Sequence, residues 1–181
     1  SNNPNKAKIA QTILNTMEKD LENPAMRPNN YSYDAVLRIC GHLSSRDHKM
    51  KRHALILALE TLTKAQKSRY MKPTAFTYSM FFSAIANLSS HQEYANLLTR
   101  TLRDCCDAGL LEDKTLSNLS RKAPHHLIEK ILDTDIPLKQ LRVKNLPSEW
   151  SSNSNYRPSA RSQRVTQRVA HNTGRQRIRR S

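Results

Sequence analysis

Glycine and valine are scarce in this chain, which has three glycines and four valines but 21 leucines among its 181 residues. Strands favour valine and other β-branched residues, and their tight turns favour glycine, whereas leucine is a good helix former. The longest uninterrupted apolar run, 54–59, is far shorter than the roughly 20 residues that a membrane-spanning helix needs. The composition therefore indicates an all-α fold, argues against a β-sandwich or barrel, and predicts no membrane partner.

Cysteine is also rare, and the three that occur are Cys40, Cys105 and Cys106. Adjacent cysteines on a helix point in different directions and cannot both bind one metal ion, and three cysteines make no disulfide framework. No glycine-rich phosphate loop and no Gly-x-Ser-x-Gly nucleophile motif occurs. We therefore expect no catalytic residue, no metal and no cofactor, and we predict that the protein is not an enzyme.

Acidic residues are half as numerous as basic ones, 15 against 30, so the formal net charge is +15. The segment 151–181 carries eight of these charges, because it has eight arginines and no lysine, aspartate or glutamate. Guanidinium groups bind phosphate through paired hydrogen bonds and stack on bases, so we expect a polyanionic partner, RNA above all. The expected phosphate-binding arginines are Arg157, Arg161, Arg164, Arg168, Arg175, Arg177, Arg179 and Arg180.

This arginine-rich segment contains almost no large apolar residue, so on its own it is expected to be disordered. The alternative is a solvated tail that serves only solubility. A second basic concentration lies between 48 and 92, where seven lysines and arginines accompany a single acid, Glu60. Lys49, Lys51 and Arg52 fall there on one predicted helix and are further candidate phosphate contacts, the alternative being that they form its solvated face.

An internal repeat with an offset of 45 residues organises the first part of the chain. The sequence Met-Arg-Pro-Asn-Asn-Tyr-Ser-Tyr at 26–33 reappears as Met-Lys-Pro-Thr-Ala-Phe-Thr-Tyr at 71–78. Apolar residues then follow at spacing 0, 3, 4, 7 and 10 from Tyr33 and from Tyr78. This spacing predicts a first helix of about three turns in each copy, which a pair of serines ends.

A second helix is predicted after each first helix, with apolar residues at spacing 0, 3 and 7 from Ala54 and from Ala95. The same spacing at Ala10, Ile13 and Met17 predicts an orphan second helix before the first copy. The expected organisation is a helical-repeat domain over 1–134 (orphan helix 5–22, repeats 28–70 and 73–109, capping helices 114–134), a loop over 135–150 anchored by Trp150, and the basic tail 151–181.

Aromatic residues accompany both copies of the repeated segment. Tyr33 and Tyr78 begin the apolar stripes and are expected in the core, the alternative being that their rings stack on bases. Tyr31 and Phe76 are expected to pack as staples against the turn between repeats.

Helix pairs in tandem, each opened by Pro-x-x-x-Ser/Thr-Tyr, resemble the pentatricopeptide repeat (PPR) family. The residues that carry the resemblance are Pro28, Ser32 and Tyr33, and Pro73, Thr77 and Tyr78. The period of 45 residues is longer than that of the family, and the step from tyrosine to the second helix has four more residues in the first repeat than in the second.

The resemblance implies a short solenoid of helix-turn-helix repeats that reads single-stranded RNA at about one base per helix pair. By the same resemblance, the base-reading residues are Asp34, Thr74, Ser79 and Asp113. It also implies a mitochondrion or plastid. We therefore expect a non-catalytic RNA-binding component of an organellar ribonucleoprotein, such as a ribosomal subunit protein, with rRNA or an organellar transcript and neighbouring proteins as partners. The alternative is a helical-repeat protein scaffold or assembly factor with a basic docking tail.

Overall fold

The computed structural model describes residues 5–19, 23 and 27–154. These ranges contain seven α-helices, two short 3-10 helices and no strand, which confirms the predicted all-α class. The α-helices are α1 (Asn5–Lys19), α2 (Asn30–Gly41), α3 (His48–Lys67), α4 (Ala75–Leu88), α5 (His91–Asp107), α6 (Asp113–Lys122) and α7 (His125–Ile131). The 3-10 helices are Val143–Asn145 and Ser148–Ser151.

Capping boxes explain why α2 and α4 begin where they do. The side chains of Asn29 and Thr74 accept hydrogen bonds from the backbone N–H of Ser32 and Thr77, whose hydroxyls accept in return from the cap backbone. These reciprocal bonds satisfy backbone donors that the first turn of a helix leaves unpaired. The repeated segment is therefore a helix-start signal that acts in the same way in both copies.

The helices α2, α4 and α6 lie side by side, each packed against the next. The backbones of α2 and α4 come so close at Gly41 that a Cβ added there would lie 3.3 Å from the backbone nitrogen of Ala84. Between α4 and α6 the side chain of Asn118 donates to the hydroxyl of Ser79 at 2.9 Å, and Lys122 donates to Ser83 at 3.1 Å. Because the partners advance together along both helices, α4 and α6 are parallel.

The remaining long helices pack against this row. Helix α1 contacts α2, α3 contacts both α2 and α4, and α5 contacts α4, α7 and the segment Ser148–Ser151. The core between the helices is apolar, and its largest fully buried side chains include Leu37, Phe81, Ile85, Leu98 and Leu102.

The four additional residues of the first repeat lie in the loop between its two helices. This loop, 42–47, has six residues, whereas its counterpart 89–90 has two. In the second repeat the serine pair ends α4, and Ser90 caps α5. In the first repeat α2 already ends at Gly41, and α3 is capped by Asp47, whose carboxylate accepts from the backbone N–H of Lys49 at 2.8 Å.

The predicted apolar stripe of α1 is wrong by one helical turn. Ile13, matched in sequence to Leu57, is 56 % exposed, whereas Ala7 and Leu14 are buried. The tyrosine hydroxyls show the true register: Tyr33 donates to Glu18 of α1 at 3.3 Å, and Tyr78 accepts from Gln66 of α3 at 3.3 Å. Because the two tyrosines are equivalent, α1 corresponds to α3 at an offset of 48 residues and not 44.

The segment 148–154 is fastened to the turn between α5 and α6. The backbone N–H of Leu111 donates to the carbonyl of Trp150 at 2.8 Å, and that of Asn153 donates to Gly109 at 2.9 Å. Trp150 is partly buried against the core. The predicted tail therefore begins too early, since 151–154 belong to the folded part, while 155–181, with all eight predicted arginines, lie outside the described residues.

Replacing Gly109 by alanine is expected to destabilise the fold by about 2 kcal/mol. Gly109 has a positive φ of 69°, and a Cβ there would lie 2.6 Å from the hydroxyl of Ser152. Urea denaturation followed by circular dichroism measures the free energy of unfolding. The double variant with Ser152→Gly should recover only the part that is due to the Ser152 hydroxyl, because the backbone of Glu149 and Asn153 also lies close to the added Cβ. A loss below about 0.5 kcal/mol in Gly109→Ala would contradict this account of the turn.

Candidate nucleic-acid interface

A cleft of about 760 Å³ opens between the starts of α4 and α6. Its wall includes Lys72 and Phe76 beside the start of α4, Lys114 in the first turn of α6, and Ser154. Ser154 is also the last described residue. The arginine-rich sequence therefore follows directly on a residue that lines the cleft.

The starts of α2, α4 and α6 form one edge of the helix row, which we call the N-terminal edge. The second residue of each helix is exposed there: Tyr31 is 85 % exposed, Phe76 is 46 % exposed, and Lys114 is exposed as well. The predicted staple role of Tyr31 and Phe76 is therefore wrong. Just before α2, the guanidinium of Arg27 lies 4.8 Å from the ring centroid of Tyr70.

The four predicted base-reading residues are placed differently from one another. Ser79 is buried and its hydroxyl is bonded to α6, and Thr74 is engaged in the capping box of α4, although both line the cleft. Asp113 lines a neighbouring groove of about 360 Å³, where its carboxylate accepts from the backbone N–H of Val143 at 2.8 Å. Asp34 is buried. Base reading by these residues stays a prediction.

Asp34 is the one buried side chain in the described ranges that has an unpaired polar atom, its Oδ1. Burial raises the pKa of this carboxyl, and a hydrogen bond with Thr77 of α4 lowers it in part. A buried acceptor without a partner is unfavourable, most of all when it is charged. Asp34 is therefore a point where the packing of α2 is not optimised for stability.

Replacing Asp34 by asparagine is expected to stabilise the protein by about 1–2 kcal/mol at pH 7, because the variant removes a buried charge. The pKa of Asp34 is higher in the folded than in the unfolded state, so the folded state holds the proton more tightly. The stability that this group contributes is present below the unfolded pKa and is lost as pH rises through the folded pKa.

Thermal melts of the wild type and Asp34→Asn should accordingly converge at acid pH and diverge towards pH 7. Asp47→Asn is a suitable control, since Asp47 is exposed and asparagine is an equally good cap. A difference between wild type and Asp34→Asn that does not depend on pH would contradict a buried ionised carboxylate.

The predicted phosphate contacts of α3 lie at its start, which follows the end of α2, so they are at the opposite edge from the cleft. Lys49 is exposed and Lys51 is partly exposed. Arg52 is also exposed but forms an ion pair with Glu93 in the first turn of α5. The hydrogen bond from Arg52 lowers the pKa of Glu93. The structure therefore divides the basic residues between two edges.

Comparison of the chain with known protein families, with curated proteins and with solved structures gave no match. The resemblance to the PPR family therefore rests on the repeated segment alone.

A basic groove that was not predicted from the sequence lies beside the cleft. Lys114, Lys139 and Arg142 line the 360 Å³ groove together with Ser117 and Ser120. These three basic residues are far apart in the sequence. Lys114 directly follows two acids, Glu112 and Asp113, so a local count of charge shows no basic cluster there. The groove forms because the segment after α7 returns to α6, so only the long-range packing reveals it.

Neither metal nor thiol chemistry has a built site in the part of the chain that the structure describes. No three His, Cys, Asp or Glu side chains are grouped there as a metal ion would require. Burial raises the pKa of the Cys40 and Cys106 thiols to about 12, and that of Cys105 is raised as well. Across the same residues, no helix is both long enough and apolar enough to span a membrane.

Proposed function

We propose that this chain is a non-catalytic RNA-binding protein that works within a ribonucleoprotein assembly. The observation that carries the proposal is the N-terminal edge, where two exposed aromatic rings, Tyr31 and Phe76, lie on neighbouring helices and Lys72 and Lys114 line the adjoining cleft. Aromatic rings stack on bases without much regard to their identity, and lysines bind phosphates. The sequence that follows Ser154, a residue lining the cleft, carries eight arginines.

We also propose that the helices form a short solenoid. The serial contacts from α2 to α4 to α6, the equivalent capping boxes of α2 and α4, and the correspondence of α1 with α3 support this arrangement. In a solenoid, equivalent residues of successive repeats form an extended surface. Tyr31, Phe76 and Lys114 are equivalent in this sense.

The resemblance to the PPR family supports an organellar setting, in a mitochondrion or plastid, with the ribosome as one such assembly. Within this proposal, binding at the N-terminal edge depends little on base identity, because Asp34 and Ser79 are buried and Thr74 is engaged in a helix cap.

The double variant Tyr31→Ser and Phe76→Ser is expected to weaken the binding of single-stranded RNA by at least about tenfold, since a base stacked on an aromatic ring is worth about 1–3 kcal/mol. Both side chains are exposed, so the melting temperature should change little. Fluorescence anisotropy with a labelled oligo(U) measures the affinity. Tyr70→Ser is the matched control, because Arg27 already covers the face of that ring.

The competing function is a protein scaffold with a basic docking tail. If the protein did not bind oligo(U) but bound an acidic polypeptide such as polyglutamate, the result would support the scaffold and refute RNA binding. Equal RNA affinity of the double variant and the wild type would remove the N-terminal edge from the binding surface.

A further inference from the structure

Helix α1 is the counterpart of α3, but among the described residues only α3 has a helix on its second side. At the offset of 48 residues, Leu55, Ala58 and Leu62 of α3 correspond to Ala7, Ala10 and Leu14 of α1. All three α1 residues pack into the core, as their counterparts do. On the same side of the two helices, Glu18 of α1 accepts from Tyr33 of α2 and Gln66 of α3 donates to Tyr78 of α4, so this shared face meets the first helix of the next repeat.

The other apolar face is buried in α3 and exposed in α1. Leu57 and Thr61 are 3 % and 1 % exposed, whereas their counterparts Ile9 and Ile13 are 52 % and 56 % exposed. Helix α3 contacts α2 as well as α4, and because its first face meets α4, α2 is the neighbour left to cover the second face. In the described ranges no helix takes that place against α1.

We propose that the face of α1 formed by Ile9 and Ile13 docks an amphipathic α-helix of another protein, in the position that α2 takes against α3. The repeat specifies its chemistry: about three turns, with aliphatic or aromatic residues at spacing 0, 3, 4 and 7, as in α2 and α4.

The charge of α1 adds a second requirement. Lys8, next to Ile9, and Lys19 are exposed. The one acid of α1, Glu18, already accepts from Lys64 at 2.6 Å and from Tyr33. A docking helix with glutamate or aspartate beside its apolar stripe would therefore be favoured over a basic one.

A second copy of this chain fits the face less well. Its helices with the required stripe, α2 and α4, are enclosed, and Leu37 and Phe81 are fully buried. Pairing α1 with α1 of another copy would bring exposed lysines of both copies together, and like charges at close range are unfavourable. A helix from a different protein, with acids beside its apolar stripe, therefore fits the face better than a second copy does.

The test uses an end-blocked, fluorescein-labelled peptide with the sequence of residues 28–43, which contains α2, added to the full chain. Anisotropy should show saturable binding, and the peptide variant Arg38→Glu should bind more tightly because it adds an acid. In the protein, Ile13→Asp should weaken binding by at least about tenfold, because the variant puts a charge into an apolar contact. Ile56→Asp is the matched control, an exposed isoleucine on α3, and should leave binding within about twofold.

Absence of peptide binding, or equal effects of Ile13→Asp and Ile56→Asp, would overturn the proposal. A concentration-dependent dimer in sedimentation equilibrium that Ile13→Asp abolishes would assign the face to a second copy and overturn it as well. Both substitutions are at exposed positions, and circular dichroism melts should confirm that both variants fold. RNA affinity should be unchanged in Ile13→Asp, so this surface and the RNA-binding proposal fail independently.

Discussion

Replacing Arg157, Arg161, Arg164 and Arg168 by glutamine should flatten the salt dependence of RNA binding by about 3 in the slope of log affinity against log salt. Each phosphate that is neutralised on single-stranded RNA contributes about −0.7 to that slope through counterion release. If about six of the eight arginines in the sequence after Ser154 contact phosphate, the wild-type slope is about −4. The measurement is a titration of labelled RNA at several salt concentrations.

Two companion variants separate charge from geometry in this experiment. The same four positions changed to lysine should keep most of the slope but lose affinity, because the charge survives while the planar paired donors of the guanidinium do not. A chain that ends at residue 154 should retain the cooperative melt of the wild type, because the bonds of Leu111 to Trp150 and of Gly109 to Asn153 are kept. Residual binding by this shortened chain would measure the contribution of the N-terminal edge.

A salt slope that the four glutamine substitutions leave unchanged would show that these arginines do not contact phosphate. An affinity that is independent of salt would exclude a phosphate-dominated interface altogether. Either result would shift the function towards the protein scaffold.

Helix identity and helix starts were predictable from the sequence because their causes are local. The repeated capping residues and the 0, 3, 4, 7 spacing from Tyr33 and Tyr78 act within one or two turns, and the structure shows both tyrosines buried. The register of α1 was not predictable in this way. Its apolar residues define two different faces, one with Ala7 and Leu14 and the other with Ile9 and Ile13, and the spacing alone cannot say which face a neighbour covers.

The candidate site depended more strongly on long-range packing. Asp34 is buried where α2 and α4 lie close together, at a contact that the small residues Gly41 and Ala84 permit. Ser79 is buried where α4 packs against α6, and no motif around either residue indicates this packing. Tyr31 was visible in the repeat, but its exposure of 85 % depends on which side of α2 its neighbours cover.

Replacing Tyr78 by alanine should destabilise the protein by about 3–5 kcal/mol, the range for removing a large buried aromatic side chain. Tyr78 is 3 % exposed and belongs to the core cluster between the helices. Domains of this size are stable by about 5–15 kcal/mol in total, so the variant would lose a large part of its stability. Urea denaturation gives the change in the free energy of unfolding.

The variant Tyr78→Phe separates the ring from its hydroxyl. It keeps the buried ring and loses only the hydrogen bond from Gln66, whose side chain is partly exposed and can turn to water, so the expected loss is about 1 kcal/mol or less. Its RNA affinity should equal that of the wild type. If Tyr78→Ala instead melted like the wild type and lost RNA binding, the ring would be a stacking platform facing the cleft that it lines, and its role in the core would be wrong.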